Sequence, residues 1–234
     1  MKLFRKAVLI IHGFTGKLQD NEYLMNYLEY DSAFDVYART LPGHEKERFS
    51  NAKVDDWKEF VDKEIEKLIT SGYHTIYIVG HSMGGILATY VAGKYKEIKK
   101  IVLVNAAFEY ANTGQSSTDK KIDFSKYSKL WEKILKTSPL IFREFNSLVK
   151  ESKNFLKGVR CKTLILRSLQ DEVVPYEAGD IIYKNISTDK KWITDIKGAY
   201  HTVLSGSRKE VVSEYIKYFL KGGRLWKKNY KKEI

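Results

Sequence analysis

Short apolar runs rich in β-branched side chains alternate along this chain with longer stretches in which apolar positions recur every three or four residues. The runs at 6–12, 35–40, 75–80, 100–105, 162–167 and 191–196 predict six strands. The helical spacing predicts helices at 19–30, 54–71, 83–95, 176–185 and 207–220. In 54–71, Trp57, Phe60, Val61, Glu64, Ile65 and Leu68 fall near one face, as expected of a helix lying on a core. Strand and helix in alternation build βαβ units, so the expected architecture is α/β, with helices on both faces of a mostly parallel sheet of about six strands.

The alternation stops between residues 106 and 160. Two helical patterns occur there, at 124–136 and 140–156, separated by Ser138-Pro139 and without a strand. Helices inserted between two strands of one sheet read as a small cap on the strand ends, which divides the chain into a core of 1–105 and 161–234 and a cap of 106–160. The cap patterns are strongly apolar, with Phe124, Leu130, Trp131, Ile134 and Leu135 in the first and Leu140, Ile141, Phe142, Phe145, Leu148 and Phe155 in the second. Such faces either line a crevice above the sheet, with Trp131 and Phe145 as candidate pocket residues, or anchor the cap to the core.

Composition narrows the class of protein. With 234 residues, 43% of them apolar, the chain can bury a sizeable core. Its mean hydropathy is −0.40, and no apolar run has the length of a membrane span. The opening MKLFRKAVLIIHG has too short an apolar stretch for a signal peptide and reads as a buried strand. A single cysteine, Cys161, forms no intramolecular disulfide, and the five scattered histidines do not pair at metal-ligand spacing; the expectation is a cytoplasmic protein without a bound metal. The net charge of +12 is concentrated. Residues 106–160 hold 11 basic against 6 acidic side chains, and residues 221–234 hold 6 against 1. This basic excess accompanies no nucleic-acid-binding module, so the expectation is no nucleic-acid partner and at most a weak, salt-screened attraction to anionic lipid.

The strongest local signal is Gly80-His81-Ser82-Met83-Gly84-Gly85, placed between the apolar run 76–79 and the apolar stretch 86–92. A G-x-S-x-G sequence at a strand-to-helix junction is a nucleophile elbow: a tight turn lifts the serine oxygen above the sheet and places it at a helix N-terminus, where developing negative charge is favoured. A serine needs a base, and the base needs an orienting acid. His201, in the loop after the last long strand, is the best-placed base, whereas His12, His44, His74 and His81 read as structural or as pocket wall. The acid is expected at a strand end on the same side: Asp171 is first choice, beside Glu172, and Glu109 after the fourth strand is second.

These residues resemble the α/β-hydrolase family, whose order of nucleophile, acid and base is matched by Ser82, Asp171 and His201. The combination HGFTG, LPGH, GHSMGG and DEVVP is similar to small bacterial carboxylesterases and monoacylglycerol lipases, and it spans residues 12 to 201. The resemblance implies that HGFTG is an oxyanion loop, with the backbone N–H groups of Phe14 and Met83 holding the oxyanion. It also implies a sheet reduced at its start. The expected activity is cofactor-independent hydrolysis of a small-molecule carboxylic ester through an acyl-enzyme, with short-to-medium acyl chains preferred. Thioesterase, peptidase and acyltransferase chemistry share the triad, and a non-catalytic binding module shares the fold. Serine at the elbow argues against dehalogenase or epoxide hydrolase chemistry, which needs an aspartate there.

Overall fold

The strand side chains divide between two faces with the period of two that a pleated strand imposes. Ala7, Leu9 and Ile11 join Ile76, Ile78, Ile101, Leu103 and Ile165 in one core, while Val8, Ile10, Tyr77, Val79, Val102, Val104, Leu164 and Leu166 join a second core on the opposite face. In the computed structural model, which describes residues 5–45, 51–109, 137–223 and 232–234, each core is closed by helices. Burial on both faces explains why the central strands read as continuous apolar runs.

The strands are β1 (Lys6–Ile11), β2 (Phe34–Ala38), β3 (Ile76–His81), β4 (Ile98–Val104), β5 (Lys162–Ser168), β6 (Lys191–Ile196) and β7 (Lys232–Glu233). They pair in the order β2-β1-β3-β4-β5-β6-β7, every pair parallel. Six are the expected strands. The seventh, β7, is two residues long and pairs with Thr194 and Asp195 of β6. A two-residue strand carries no readable periodicity, so it was not among the expected elements.

The helices are α1 (Glu22–Glu29), α2 (Val54–Thr70), α3 (Met83–Lys94), α4 (Pro139–Leu156), α5 (Glu177–Asn185) and α6 (Lys209–Leu220). Leu24 and Leu28 of α1 and Val212, Ile216 and Phe219 of α6 cover one face of the sheet. Residues of α2, α3, α4 and α5 cover the other. The expected helix 19–30 is divided: residues Leu18–Asn21 form a 3-10 turn, and α1 starts after Asn21, whose φ and ψ of −112° and 2° break the helix. Pro139 opens α4 from its first turn, a position where its missing N–H costs nothing, and the Ser138 hydroxyl accepts a hydrogen bond from the Leu140 N–H at 3.3 Å. The buried residues of α4, Ile141, Phe145, Leu148, Val149 and Leu156, share the core of α2 and α3. The first cap pattern, 124–136, lies outside the described residues, and Trp131 with it. Among the described residues no helix is long and apolar enough to cross a membrane.

Charged side chains also lie buried within the strands, among them Lys100, Arg167 and Asp195. Lys100 in β4 is buried, and its Nζ donates to the Phe219 and Leu220 carbonyls at 2.8 Å each, closing the C-terminus of α6. Burial, with the nearby charges of Lys162 and Lys6, lowers its pKa to about 8.

Candidate active site

The three sequence-derived candidates stand at the C-terminal ends of strands in the middle of the sheet: Ser82 follows β3, Asp171 follows β5 and His201 follows β6, with β4 between the first two. This is the end of a parallel α/β sheet where ligands bind. Ser82 has φ 53° and ψ −117°, a backbone conformation that a residue with a side chain seldom adopts, and it caps α3. The turn is held by hydrogen bonds from Ser82 N–H to the Val104 carbonyl at 2.9 Å and from Gly85 N–H to the Ser82 carbonyl at 2.9 Å. Its glycines are a packing requirement. A Cβ on Gly84 would overlap the Ile11 carbonyl oxygen, and one on Gly80 would overlap the carbonyl of Gly84, so β1, β3 and α3 meet backbone to backbone.

His201 is buried, and its Nδ1 lies 3.0 and 2.9 Å from the two carboxylate oxygens of Asp171. With Nδ1–H donating to that carboxylate, Nε2 is left as the basic nitrogen. Asp171 is fixed in turn, because its Oδ1 accepts the Val173 and Val174 N–H groups at 2.8 Å each. The neighbouring Glu172 is not idle charge: its Oε2 accepts the His201 main-chain N–H at 2.9 Å. Glu109, the second-choice acid, pairs instead with Lys153 at 3.3 Å in a half-exposed position.

His81, which the sequence reads as structural or pocket wall, and Asn105, which it does not single out, hold His201 from behind. His81 Nε2 and Asn105 Nδ2 each donate to the His201 carbonyl at 2.9 Å. The first bond sets residue 201 beside the elbow, since His81 directly precedes Ser82. Asn105 has φ 45° and ends β4, and it also bonds Ser168 twice, through Nδ2 to Oγ at 2.9 Å and through Oδ1 from the Ser168 N–H at 2.8 Å. A polar residue directly after a strand, at the end of the sheet already implicated, was the available signal.

The HGFTG loop follows β1. Gly16 N–H returns to the Gly13 carbonyl at 3.0 Å, and a Cβ on Gly13 would stand 2.9 Å from the Ser82 Cβ, so the loop lies directly against the nucleophile turn. The Met83 N–H, as the first of α3, is one of those a helix leaves without an internal partner. Phe14 is buried and stacks on Phe145 of α4, with centroids 4.6 Å apart and planes 10° apart. Histidines clamp this loop to the one after β2. His12 Nε2 accepts the Leu41 N–H at 3.0 Å, His44 Nε2 accepts the Thr15 N–H at 3.2 Å, and their Nδ1 atoms donate to the Gly13 and Pro42 carbonyls.

Burial holds His44 and His81 neutral, with pKa values lowered to about 4, and it lowers His12 as well; the neighbouring imidazoles His12 and His201 depress His44 and His81 further. A histidine depressed in the folded state stabilises the fold fully above its unfolded value near 6.5, and that contribution is lost as pH falls toward 4, because the unfolded chain takes up the proton first. The urea midpoint is therefore expected to drop on going from pH 7 to pH 5, and His44→Gln to flatten the drop. A midpoint constant over that interval would contradict these assignments.

A family model for the alpha/beta hydrolase fold matches residues 6–145. The chain is 24% identical to a carboxylesterase of Bacillus subtilis, covering 92% of each protein. It is 27% identical to a thermostable monoacylglycerol lipase of Bacillus sp. strain H-257, covering 92% of this chain and 90% of that one. Among solved structures, one described with the metagenome-derived lipolytic enzymes LipS and LipT superposes with a TM-score of 0.75 at 23% identity, over 93% of this chain and 94% of that one. The monoacylglycerol lipase of Paleococcus ferrophilus superposes with a TM-score of 0.72 at 19% identity, over 92% and 93%. With well over half of its length matched by the family model, and with the parallel sheet and the strained serine turn that this fold requires, the chain belongs to the α/β-hydrolase fold family.

Proposed function

We propose that Ser82, His201 and Asp171 act as nucleophile, base and orienting acid in the hydrolysis of a carboxylic ester. The observation that carries this reading is the buried His201–Asp171 pair, which leaves the imidazole Nε2 basic on the side of the sheet where Ser82 turns outward. Ester hydrolysis is the reaction class of this chain, and the carboxylesterase and monoacylglycerol lipase names of its relatives support it.

Ser82 Oγ attacks the acyl carbon while its proton passes to His201 Nε2. The negative charge on the former carbonyl oxygen is met by the N–H groups of Phe14 and Met83, which act where charge develops. Collapse breaks the ester bond, and the imidazolium gives its proton to the departing alcohol. Water then gives a proton to His201 and attacks the acyl-enzyme, which releases the carboxylic acid and returns the proton to Ser82. Asp171 keeps its charge throughout and stabilises the imidazolium. A fluorophosphonate probe tests the assignment: stoichiometric labelling of Ser82 in the wild type is expected, and an inert Ser82 would point to a binding module of the same fold.

For the acyl group we infer a short-to-medium chain. Phe142 and Phe145 of α4 lie against Phe14, with centroids 6.4 and 4.6 Å away, and so extend an apolar wall from the oxyanion loop. Each methylene buried there adds about 0.8 kcal/mol. On p-nitrophenyl esters, kcat/KM is expected to rise from acetate toward medium chains, and Phe145→Ala to shift the preference toward shorter ones. Equal values from acetate to octanoate would remove the acyl-pocket assignment, and faster cleavage of peptide amides than of any ester would favour a peptidase.

A further inference from the structure

The oxyanion loop has two sides of different chemistry. On one, Phe14 packs among rings, with Phe145, His44 and Trp57 at centroid distances of 4.6, 6.0 and 6.4 Å. On the other, the loop opens onto a partly enclosed cleft whose polar lining is formed by Thr15, Asp20, His81, His201, Thr202 and Ser205. His201 therefore belongs to this second side. The portion of an ester lying next to the imidazole is the portion that receives its proton, which is the alcohol.

Asp20 is the only carboxylate lining this pocket among the described residues, and no lysine or arginine lines it. Its Oδ2 accepts the Lys17 N–H at 2.8 Å and would stand 3.3 Å from a Cβ on Gly16, against the oxyanion loop. No partner for Oδ1 is found among the described residues. The charge reaches inward, since it opposes the effect of burial at both His12 and His81. Thr15 beside it is fully buried with φ 61°, and its hydroxyl has no hydrogen-bond partner among the described residues.

We propose that this pocket receives the alcohol portion of the ester and that Asp20 makes it selective for alcohols bearing a positive charge, such as a small quaternary ammonium alcohol. The proposal rests on the assignment of Ser82 and His201 given above. A neutral alcohol gains at most a hydrogen bond from Asp20, whereas a cation gains a charge interaction that no neighbouring cation of the pocket competes for, and an anionic alcohol is repelled. The partly enclosed pocket screens that interaction less than open solvent does.

Choline butyrate and 3,3-dimethylbutyl butyrate test the idea, because they share the acyl group and the shape of the alcohol and differ by one charged nitrogen in place of carbon. In the wild type the ratio of kcat/KM, charged over neutral, is expected to be about tenfold at low salt and to fall as salt is added. Asp20→Asn keeps an oxygen for the Lys17 N–H and is expected to bring the ratio close to one. Glu22→Gln removes the same charge from an exposed position two residues away, and the wild-type ratio is expected to persist. A wild-type ratio near one, a ratio that Asp20→Asn does not move, or an equal fall in Glu22→Gln would each overturn the proposal. Fluorophosphonate labelling separates the two readings: a labelled Ser82 with no charge preference overturns this inference alone, whereas an unlabelled Ser82 with neither ester cleaved overturns the proposed function and this inference together.

Discussion

Ser82→Ala and His201→Ala are each expected to lower kcat by about three decades or more while the urea midpoint changes little. The nucleophile and its base act as one unit, so the double variant is expected to be no worse than either single one. Alanine at position 82 retains the Cβ that the strained turn already accommodates, and the main-chain bonds to Val104 and Gly85 do not involve the hydroxyl. Loss of the imidazole likewise spares the main-chain atoms of residue 201, which are held by Glu172, His81 and Asn105. Steady-state turnover of a p-nitrophenyl ester, with labelling of residue 82 as the parallel readout, decides the matter. Either variant retaining a tenth of wild-type turnover would show that the chemistry resides elsewhere.

Asp171→Asn is expected to cost roughly 10⁴-fold in kcat, the order observed when the acid of a serine triad is neutralised. The amide can offer its oxygen to the Val173 and Val174 N–H groups and so preserve the loop, but its NH₂ then faces His201 Nδ1. That arrangement favours an imidazole carrying its proton on Nε2, which cannot accept one from Ser82. Glu109→Gln is the matched control, because Glu109 pairs with Lys153 on the surface and makes no bond to the base; turnover within about twofold of wild type is expected. The reverse result, a crippled Glu109→Gln beside an active Asp171→Asn, would reassign the acid.

The sequence by itself determined the features that arise from neighbours along the chain. A parallel sheet buried on both faces needs apolar runs separated by amphipathic helices, and that pattern located β1 to β6 and the five core helices, with ends displaced by a few residues where a single backbone angle ends the element, as at Asn105. The elbow was legible for a similar reason, since a serine in a strained turn demands glycine two residues before and two after it, and those positions are fixed by local geometry.

Only the tertiary structure decided how distant segments meet. The contact between Asp171 and His201 spans 30 residues, and the clamp of Asn105 on the His201 carbonyl spans 96. His12 and His44 reach across 29 residues to main-chain N–H groups, and Lys100 reaches across about 120 to the end of α6. A side-chain hydrogen bond constrains direction and distance to a few tenths of an ångström, while the spacing of residue types along a chain carries no such information. The packing of Phe145 against Phe14, and the position of Asp20 on the far side of the same loop, depend likewise on how the helices settle on the sheet, and the sequence contains the residue types without their neighbours.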